Sequence, residues 1–321
     1  MKEIKIKDIT EFKIGHAENP AGGTGCTAII CPEGAISGCE VRGGGPASRE
    51  TPLLDPVKNA QEIHAVMLSG GSAFGLAAGD GAMSYLEENK IGYQLAGCVI
   101  PLVVGASIFD LLVGEPGIRP DKEMGYEACV EAFSSSDSAD LQGNVGAGTG
   151  ATVGKMNGPS EAMKSGLGVY AIESAGVKLG AIAVVNALGD VLEDGKIIAG
   201  AVKADGTFTD SARLMVERMG GEPSIQRENT TLVCLITDGA LSKIEANKTA
   251  QVMHNGLARA ISPVHTAADG DTTFCMSCGS KEVNPDAFAQ AAAMVTEKAI
   301  QNAVKNTKGA YGLPAICDLG K

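Results

Sequence analysis

Thr230-Thr231-Leu232-Val233-Cys234-Leu235-Ile236-Thr237-Asp238, entered from Glu228-Asn229, is the stretch on which the reading of this chain turns. An apolar, β-branched run of this length reads as a buried strand. Gly220-Gly221-Glu222-Pro223-Ser224, just upstream, reads as the loop that delivers it. Two readings of the Asn229-Thr230 junction stand side by side. In one, Asn closes a turn and Thr opens a strand, each for ordinary conformational reasons. In the other, the bond between them cleaves itself: Thr230 Oγ attacks the Asn229 carbonyl, the ester hydrolyses, and Thr230 becomes a new N-terminus. A free α-amine titrates at about 7.7–8.0, so it could then act as base for its own hydroxyl near neutral pH.

Working outward, residues 240–261 read as a long helix with Leu241, Ile244 and Leu257 as core candidates. Asn284-Pro285-Asp286 opens a last helix whose apolar stripe is Phe288, Ala292, Val295, Ala299 and Ala303. Between them lies Asp269-Gly270-Asp271, a turn or weak cation loop without the further ligands of an EF-hand. On the N-terminal side, 168–173 and 178–185 form a predicted hairpin turning at Ala175-Gly176 and ending at Asn186. An Asn there suits a turn, and it is also placed to present an amide donor at a sheet edge. Residues 209–219 read as a helix closed by Gly220-Gly221.

Earlier still, 26–31 and 35–41 read as two strands joined by a turn at Pro32-Glu33-Gly34, followed by the glycine loop Arg42-Gly43-Gly44-Gly45-Pro46. A strand over 63–68 runs through Ser69-Gly70-Gly71-Ser72-Ala73-Phe74-Gly75-Leu76 into a helix ending near Asn89. The helix is rich in Ala and Gly, which predicts close burial against a sheet. Residues 134–140 read as a polar connection. The stretch 146–155 tempts a phosphate-loop reading, but its spacing is wrong and Met156 stands where a hydroxyl should follow the lysine. A tight glycine bend carrying Lys155 fits it better. Strands mostly precede helices rather than alternating with them, which predicts a layered α/β protein with much antiparallel sheet. No linker is long enough to divide residues 1–321, so a single domain is expected.

Composition narrows the function. The formal charge of −12 argues against nucleic acid or an anionic membrane as the main partner. No apolar run approaches a membrane span and the N-terminus lacks a signal-peptide core, so a cytoplasmic location is expected. With 43 glycines, no Trp and only 4% aromatics, the chain should pack its backbone closely and line its pocket with small aliphatic groups. The cysteines form no zinc-ribbon spacing, and the C-x-x-C at Cys275/Cys278 has no second pair, which favours reduced buried thiols. His16, His64, His254 and His265 are far apart in sequence and form no metal pattern. No metal or cofactor is expected.

Taken in order, several stretches resemble the DmpA family (L-aminopeptidase/D-esterase), which includes β-aminopeptidases and nylon-oligomer endohydrolases. They are Gly15-His16-Ala17, Thr24-Gly25-Cys26-Thr27, the Arg42 glycine loop, Leu68 to Leu76, residues 146–155, Ala183-Val184-Val185-Asn186, Asn229-Thr230-Thr231, Ile236-Thr237-Asp238 and Asp269-Gly270-Asp271-Thr272-Thr273-Phe274. The resemblance implies a four-layer α/β/β/α sandwich of the N-terminal-nucleophile type. It also implies autocleavage into chains 1–229 and 230–321 that stay together, amide hydrolysis through an acyl-Thr230 intermediate, and a homo-tetramer of cleaved heterodimers acting on small peptides or amides. Thr230 matches the nucleophile, Asn186 the oxyanion-stabilising Asn, and Lys155 an active-site Lys. Asp269 and Asp271 match the paired aspartates of the nylon-oligomer branch, where aminopeptidases carry Ser and Glu. Asn229 before the cleaved bond also follows that branch. The competing reading is an acyltransferase of the ornithine acetyltransferase type on a related scaffold, or a non-catalytic homologue.

Overall fold

In the computed structural model, residues 1–134, 142–220 and 229–319 are described. Most of the 134–140 connection, most of the 220–224 loop and Glu228 lie outside those residues. One ten-stranded sheet runs through the molecule. Its strands are β1 (Lys2–Ile4), β2 (Lys13–Asn19), β3 (Thr24–Val41), β4 (Ser48–Arg49), β5 (Glu62–Ser69), β6 (Val103–Ser107), β7 (Leu167–Ser174), β8 (Val177–Asn186), β9 (Thr230–Gly239) and β10 (Thr272–Lys281). They lie in the order β1-β7-β8-β9-β10-β3-β5-β6-β4, with β2 also on β3. Two pairings, β9 with β10 and β5 with β6, are parallel; the rest are antiparallel.

The expected turn at Pro32-Glu33-Gly34 is instead a bulge within the single 18-residue strand β3. Its register on β5 slips between Ile30 and Ala35. Gly34 takes φ +86°, and the Cys31 thiol closes onto the Gly34 carbonyl at 3.3 Å. A Pro within a run usually marks an edge or a bulge, because it cannot donate to the ladder. The N-terminal half of β3 carries β2 and most of the β5 pairing, while its C-terminal half carries β10. One strand therefore serves two halves of the sheet.

Side-chain alternation shows that these halves face each other. Ile182, Val184, Leu232, Cys234, Ile236, Phe274 and Met276 share a buried cluster with Ile29, Val66, Leu68 and Val104. Their sequence neighbours point outward. Ala181, Ala183, Val233, Leu235 and Cys275 meet α4 (Lys243–Ala260) and α5 (Pro285–Lys305). Ala28, Ile30, Ala65, Met67 and Val103 meet α1 (Ala78–Glu88) and α2 (Lys122–Ala132). The period of two in strands buried on both faces thus builds an α/β/β/α sandwich.

Helix ends follow local chemistry. Ser242 and Glu245 form a reciprocal capping box at α4, and Asn284 caps α5 ahead of Pro285. The short α3 (Ser211–Glu217) is capped by Asp210. Ile244, expected in the core, is 69% exposed, because the helix begins at Lys243 and turns that face outward. The glycine-rich α1 packs against α2 as well as the sheet: a Cβ on Gly81 would lie 1.9 Å from the Lys122 carbonyl oxygen. No helix among the described residues is long and apolar enough to cross a membrane.

Candidate active site

Thr230 is the first residue of β9, and Asn186, the last of β8, is its direct cross-strand partner. Both are buried. The carbonyl before Thr230 is gripped from two sides: Thr230 Oγ1 donates to the Asn229 oxygen at 2.5 Å, and the Gly270 amide donates to it at 2.7 Å. Asn229 itself donates to the Ala268 carbonyl at 2.9 Å, so the junction is laced to the 268–270 loop. A Cβ on Gly270 would approach Thr230 Oγ1 to 2.7 Å, which shows how closely that loop is drawn over the hydroxyl.

The two aspartates divide the labour of holding this loop. Asp269 Oδ2 accepts from the Thr266 amide at 2.8 Å and its hydroxyl at 2.6 Å. Asp271 Oδ1 accepts from the Thr231 amide at 2.7 Å. Its other oxygen accepts from the His265 amide at 3.0 Å and pairs with His265 Nδ1 at 2.8 Å. Burial raises the Asp269 carboxyl above its ordinary range, the Asp271 charge adds to the rise, and Thr266 and Lys155 oppose it. The Arg42 glycine loop lies along the same segment. Gly45 donates to the Asp269 carbonyl at 2.8 Å, and a Cβ on Gly43 would stand 2.2 Å from that oxygen. Close backbone approach accounts for Gly43 and for Gly44, where a Cβ would stand 2.7 Å from the Ala267 backbone.

On the other side, Gly154 at φ +72° makes the tight bend expected before Lys155. The Gly154 and Lys155 amides bond to the Gly189 and Leu188 carbonyls, both at 3.0 Å. Lys155 Nζ then reaches Asn186 Oδ1 at 2.9 Å and the Asn186 carbonyl at 3.0 Å. Loss of water around the ammonium pushes its pKa down to about 7, against the pull of Asp269 and Asp110. Asn186 Oδ1 also accepts from the Thr152 amide and hydroxyl, at 3.0 and 3.2 Å. Its Nδ2 donates to the Phe109 carbonyl at 2.9 Å. The five site residues read from the sequence, Thr230, Asn186, Lys155, Asp269 and Asp271, are thus gathered around the Asn229 carbonyl by direct bonds, register and charge.

Sequence reasoning missed three participants. The Gly270 amide carries no side-chain signal. His265 was set aside because its spacing suited no metal. Asp110, just past β6, takes the Thr24 hydroxyl at 2.6 Å and the Gly71 amide at 2.7 Å, and burial raises it to about 6. It lines a cavity of about 620 Å³ together with Asn229, Lys155 and Thr152. The remaining wall includes Phe109, Leu112, Val113, Leu188, Tyr311 and Leu313. The expectation of small aliphatic lining therefore needs correcting: two of the chain's few aromatic side chains are spent here.

A sequence model of peptidase family S58 matches residues 5–314. The chain belongs to that family. It is accordingly a hydrolase acting on amide bonds. Over 98% of its length it is 35% identical to an uncharacterized aminopeptidase of Mycobacterium leprae, covering 93% of that protein. It is 29% identical to the 6-aminohexanoate-oligomer endohydrolase of a Kocuria species, over 84% of this chain and 74% of that one. Among solved structures, the L-aminopeptidase D-Ala-esterase/amidase of Ochrobactrum anthropi superposes with a TM-score of 0.68. That match is 18% identical in sequence and covers 94% of this chain and 86% of that one. A Burkholderia β-aminopeptidase superposes with a TM-score of 0.63 at 20% identity, with the same two coverages. The S58 member described here shares their fold, which in the Ochrobactrum enzyme is a variant of the Ntn hydrolase fold.

Proposed function

We propose that this S58 hydrolase is made active by its own cleavage between Asn229 and Thr230, and then turns over amides through an acyl-Thr230 ester. The observation that carries the reading is the doubly held Asn229 carbonyl, with Thr230 Oγ1 at 2.5 Å and the Gly270 amide at 2.7 Å from its oxygen. In the first step Oγ bonds to the carbonyl carbon and its proton passes to a neutral amine. Lys155, with a pKa of about 7, supplies one in the pocket wall. The Gly270 N–H receives the negative charge developing on the carbonyl oxygen. The C–N bond breaks as the leaving Thr230 nitrogen takes a proton, leaving an ester. Water hydrolyses the ester to the Asn229 carboxylate and a free Thr230 amine.

In turnover the Thr230 amine takes the hydroxyl proton as Oγ attacks the substrate carbonyl, and it returns that proton to the departing amine. Water then releases the acid. Asn186, bonded to Lys155 and opposite Thr230, orients this amine, and the second N–H of its Nδ2, whose first is on the Phe109 carbonyl, is given to the oxyanion. Replacing Asn186 by Ala lowers kcat by roughly a hundredfold or more on this reading. The apolar cavity wall and the lack of an arginine among the described lining residues favour a weakly charged, flexible acyl group. Internal and ω-amino amides are therefore proposed substrates alongside aminoacyl amides.

The test is the intact mass of the denatured protein, with N-terminal sequencing of the smaller chain. That chain should begin Thr-Thr-Leu-Val, and Thr230→Ala should remain whole and inactive. Full activity in an uncleaved chain, or in Thr230→Ala, overturns the mechanism. Aminoacyl-p-nitroanilides, β-amino amides and 6-aminohexanoate oligomers assayed in parallel define the substrate class. Turnover confined to α-aminoacyl amides removes the ω-amide proposal.

A further inference from the structure

His265 has no place in the mechanism above, yet it supplies two of the three N–H groups on the Asp271 carboxylate. Its backbone lies in the left-handed region at φ +58°, which turns both its amide and its ring Nδ1 onto Asp271 Oδ2, at 3.0 and 2.8 Å. Asp271 Oδ1 in turn receives the amide of Thr231, the residue after the nucleophile, at 2.7 Å. Behind His265 stands His254, edge to face at 4.7 Å between ring centres, with its Nε2 on the Glu40 carbonyl at 3.2 Å. Neither His254 Nδ1 nor His265 Nε2 has a hydrogen-bond partner among the described residues, although both atoms are buried. The two rings are therefore held by one polar contact each, and the one made by His265 ends on the carboxylate that sets the start of β9.

We infer that the His265 imidazole is a positioning residue for Thr230, fixing Asp271 so that its other oxygen holds the Thr231 amide and with it the nucleophile at the strand's entrance. The inference rests on the reading of Thr230 as nucleophile. A non-glycine residue at positive φ is uncommon, and it is retained where the surrounding structure dictates it. Here the strained backbone delivers two donors to one carboxylate oxygen. The His265 ring is absent from the cavity lining, so its effect should fall on kcat rather than on KM.

The positive φ also makes a clean test available. Glycine adopts φ +58° freely, so His265→Gly removes the ring while leaving the turn and the backbone N–H in place. The ring is 18% exposed, which leaves a path for added imidazole to refill the space. Asn tolerates the same backbone region and carries an N–H that can replace Nδ1–H. Turnover is expressed per cleaved chain, counted from the intact mass.

His265→Gly is expected to lower kcat by roughly ten- to a hundredfold, the size of a lost hydrogen bond to a charged group, with KM little changed. Added imidazole or His265→Asn should recover much of the loss. An undiminished His265→Gly overturns the inference, because the backbone alone would then hold Asp271. A loss that neither imidazole nor Asn repairs also overturns it, because the ring would then serve packing alone. Thr230→Ala, assayed beside them, keeps the two readings apart. Activity in that variant sinks the nucleophile itself, whereas an inactive Thr230→Ala with a fully active His265→Gly sinks only the role of the ring.

Discussion

Two lysines near the cavity share one electrostatic condition and differ in what surrounds them. Lys155 and Lys164 both have ammonium groups pushed down to about 7 by burial, and both feel the Asp110 carboxylate as an opposing pull. Lys164 is fully enclosed, its Nζ donating to the Gly148 and Ala151 carbonyls of the glycine-rich 146–155 segment and to the Ser165 carbonyl. Lys155 keeps one side on the cavity and bonds to Asn186, the cross-strand partner of Thr230. A depressed pKa is therefore not by itself a mark of catalysis. Access to a reacting atom separates a lysine that can exchange its proton in a reaction from one that satisfies buried carbonyls.

The largest expected effect comes from Lys155→Met. If the neutral amine takes the Thr230 hydroxyl proton, the rate of self-cleavage should fall by roughly 10²–10⁴-fold while the thermal midpoint moves little. Intact mass followed over time and thermal melts measure the two. Near-normal rates would make the two lysines equivalent and end the contrast.

Lys164→Met should do the reverse. It takes the Nζ donor from the Ser165 carbonyl and a second donor from the Gly148 and Ala151 carbonyls, which keep the Ala151 and Ser165 amides. It is expected to cost roughly 1–3 kcal/mol of stability in urea melts, while kcat per folded, cleaved chain stays within about threefold. A large loss of kcat in well-folded protein would give Lys164 a part in the chemistry.

The pH dependence sharpens the comparison further. Each lysine titrates at 10.5 in the unfolded chain and near 7 in the folded one, so the folded state binds fewer protons between those values. Stability should fall as pH drops from about 10.5 to 7 and gain nothing back below that, since the penalty of a buried ammonium is then complete. Lys164→Met should flatten part of this slope. Self-cleavage should speed up with pH through about 7 as Lys155 loses its proton, a limb that Lys155→Met removes or displaces.

The smallest effect is expected from Asp110→Asn. Removing a charge that raises both lysines should move the acid limb of self-cleavage to lower pH by a fraction of a unit. Asn keeps one acceptor oxygen, for the Gly71 amide, and weakens the contact with the Thr24 hydroxyl, at a cost of about 1 kcal/mol. A pH profile that does not move would mean that Asp110 acts only as a tether.

How much of this was legible beforehand depended on whether the signal was local. The strand from Thr230, the hairpin turning at Ala175-Gly176 and the Pro285 helix start each rest on a period or a cap written in adjacent residues. The bend before Lys155 was readable for the same reason, since Gly154 supplies a backbone conformation that few residues adopt. Thr230, Asn186, Lys155, Asp269 and Asp271 were found through an ordered set of motifs, although nothing in their spacing says that they meet.

What only the tertiary structure decided is long-range. Pro32-Glu33-Gly34 carries the composition of a turn, and it became a bulge because both sides of it pair onward with β5. Ile244 is apolar, yet its face of α4 is left uncovered by the described residues. The Gly270 amide became the group on the Asn229 carbonyl because the 268–270 loop runs beside that junction, and a backbone N–H has no side chain to announce it. His265 looked inert until the fold set it on Asp271. Periodicity and turn chemistry act over a few residues and can be read from the chain itself. Which buried donor finds which acceptor, and which of two shifted lysines faces open space, follows from how the strands and loops are brought together in the fold.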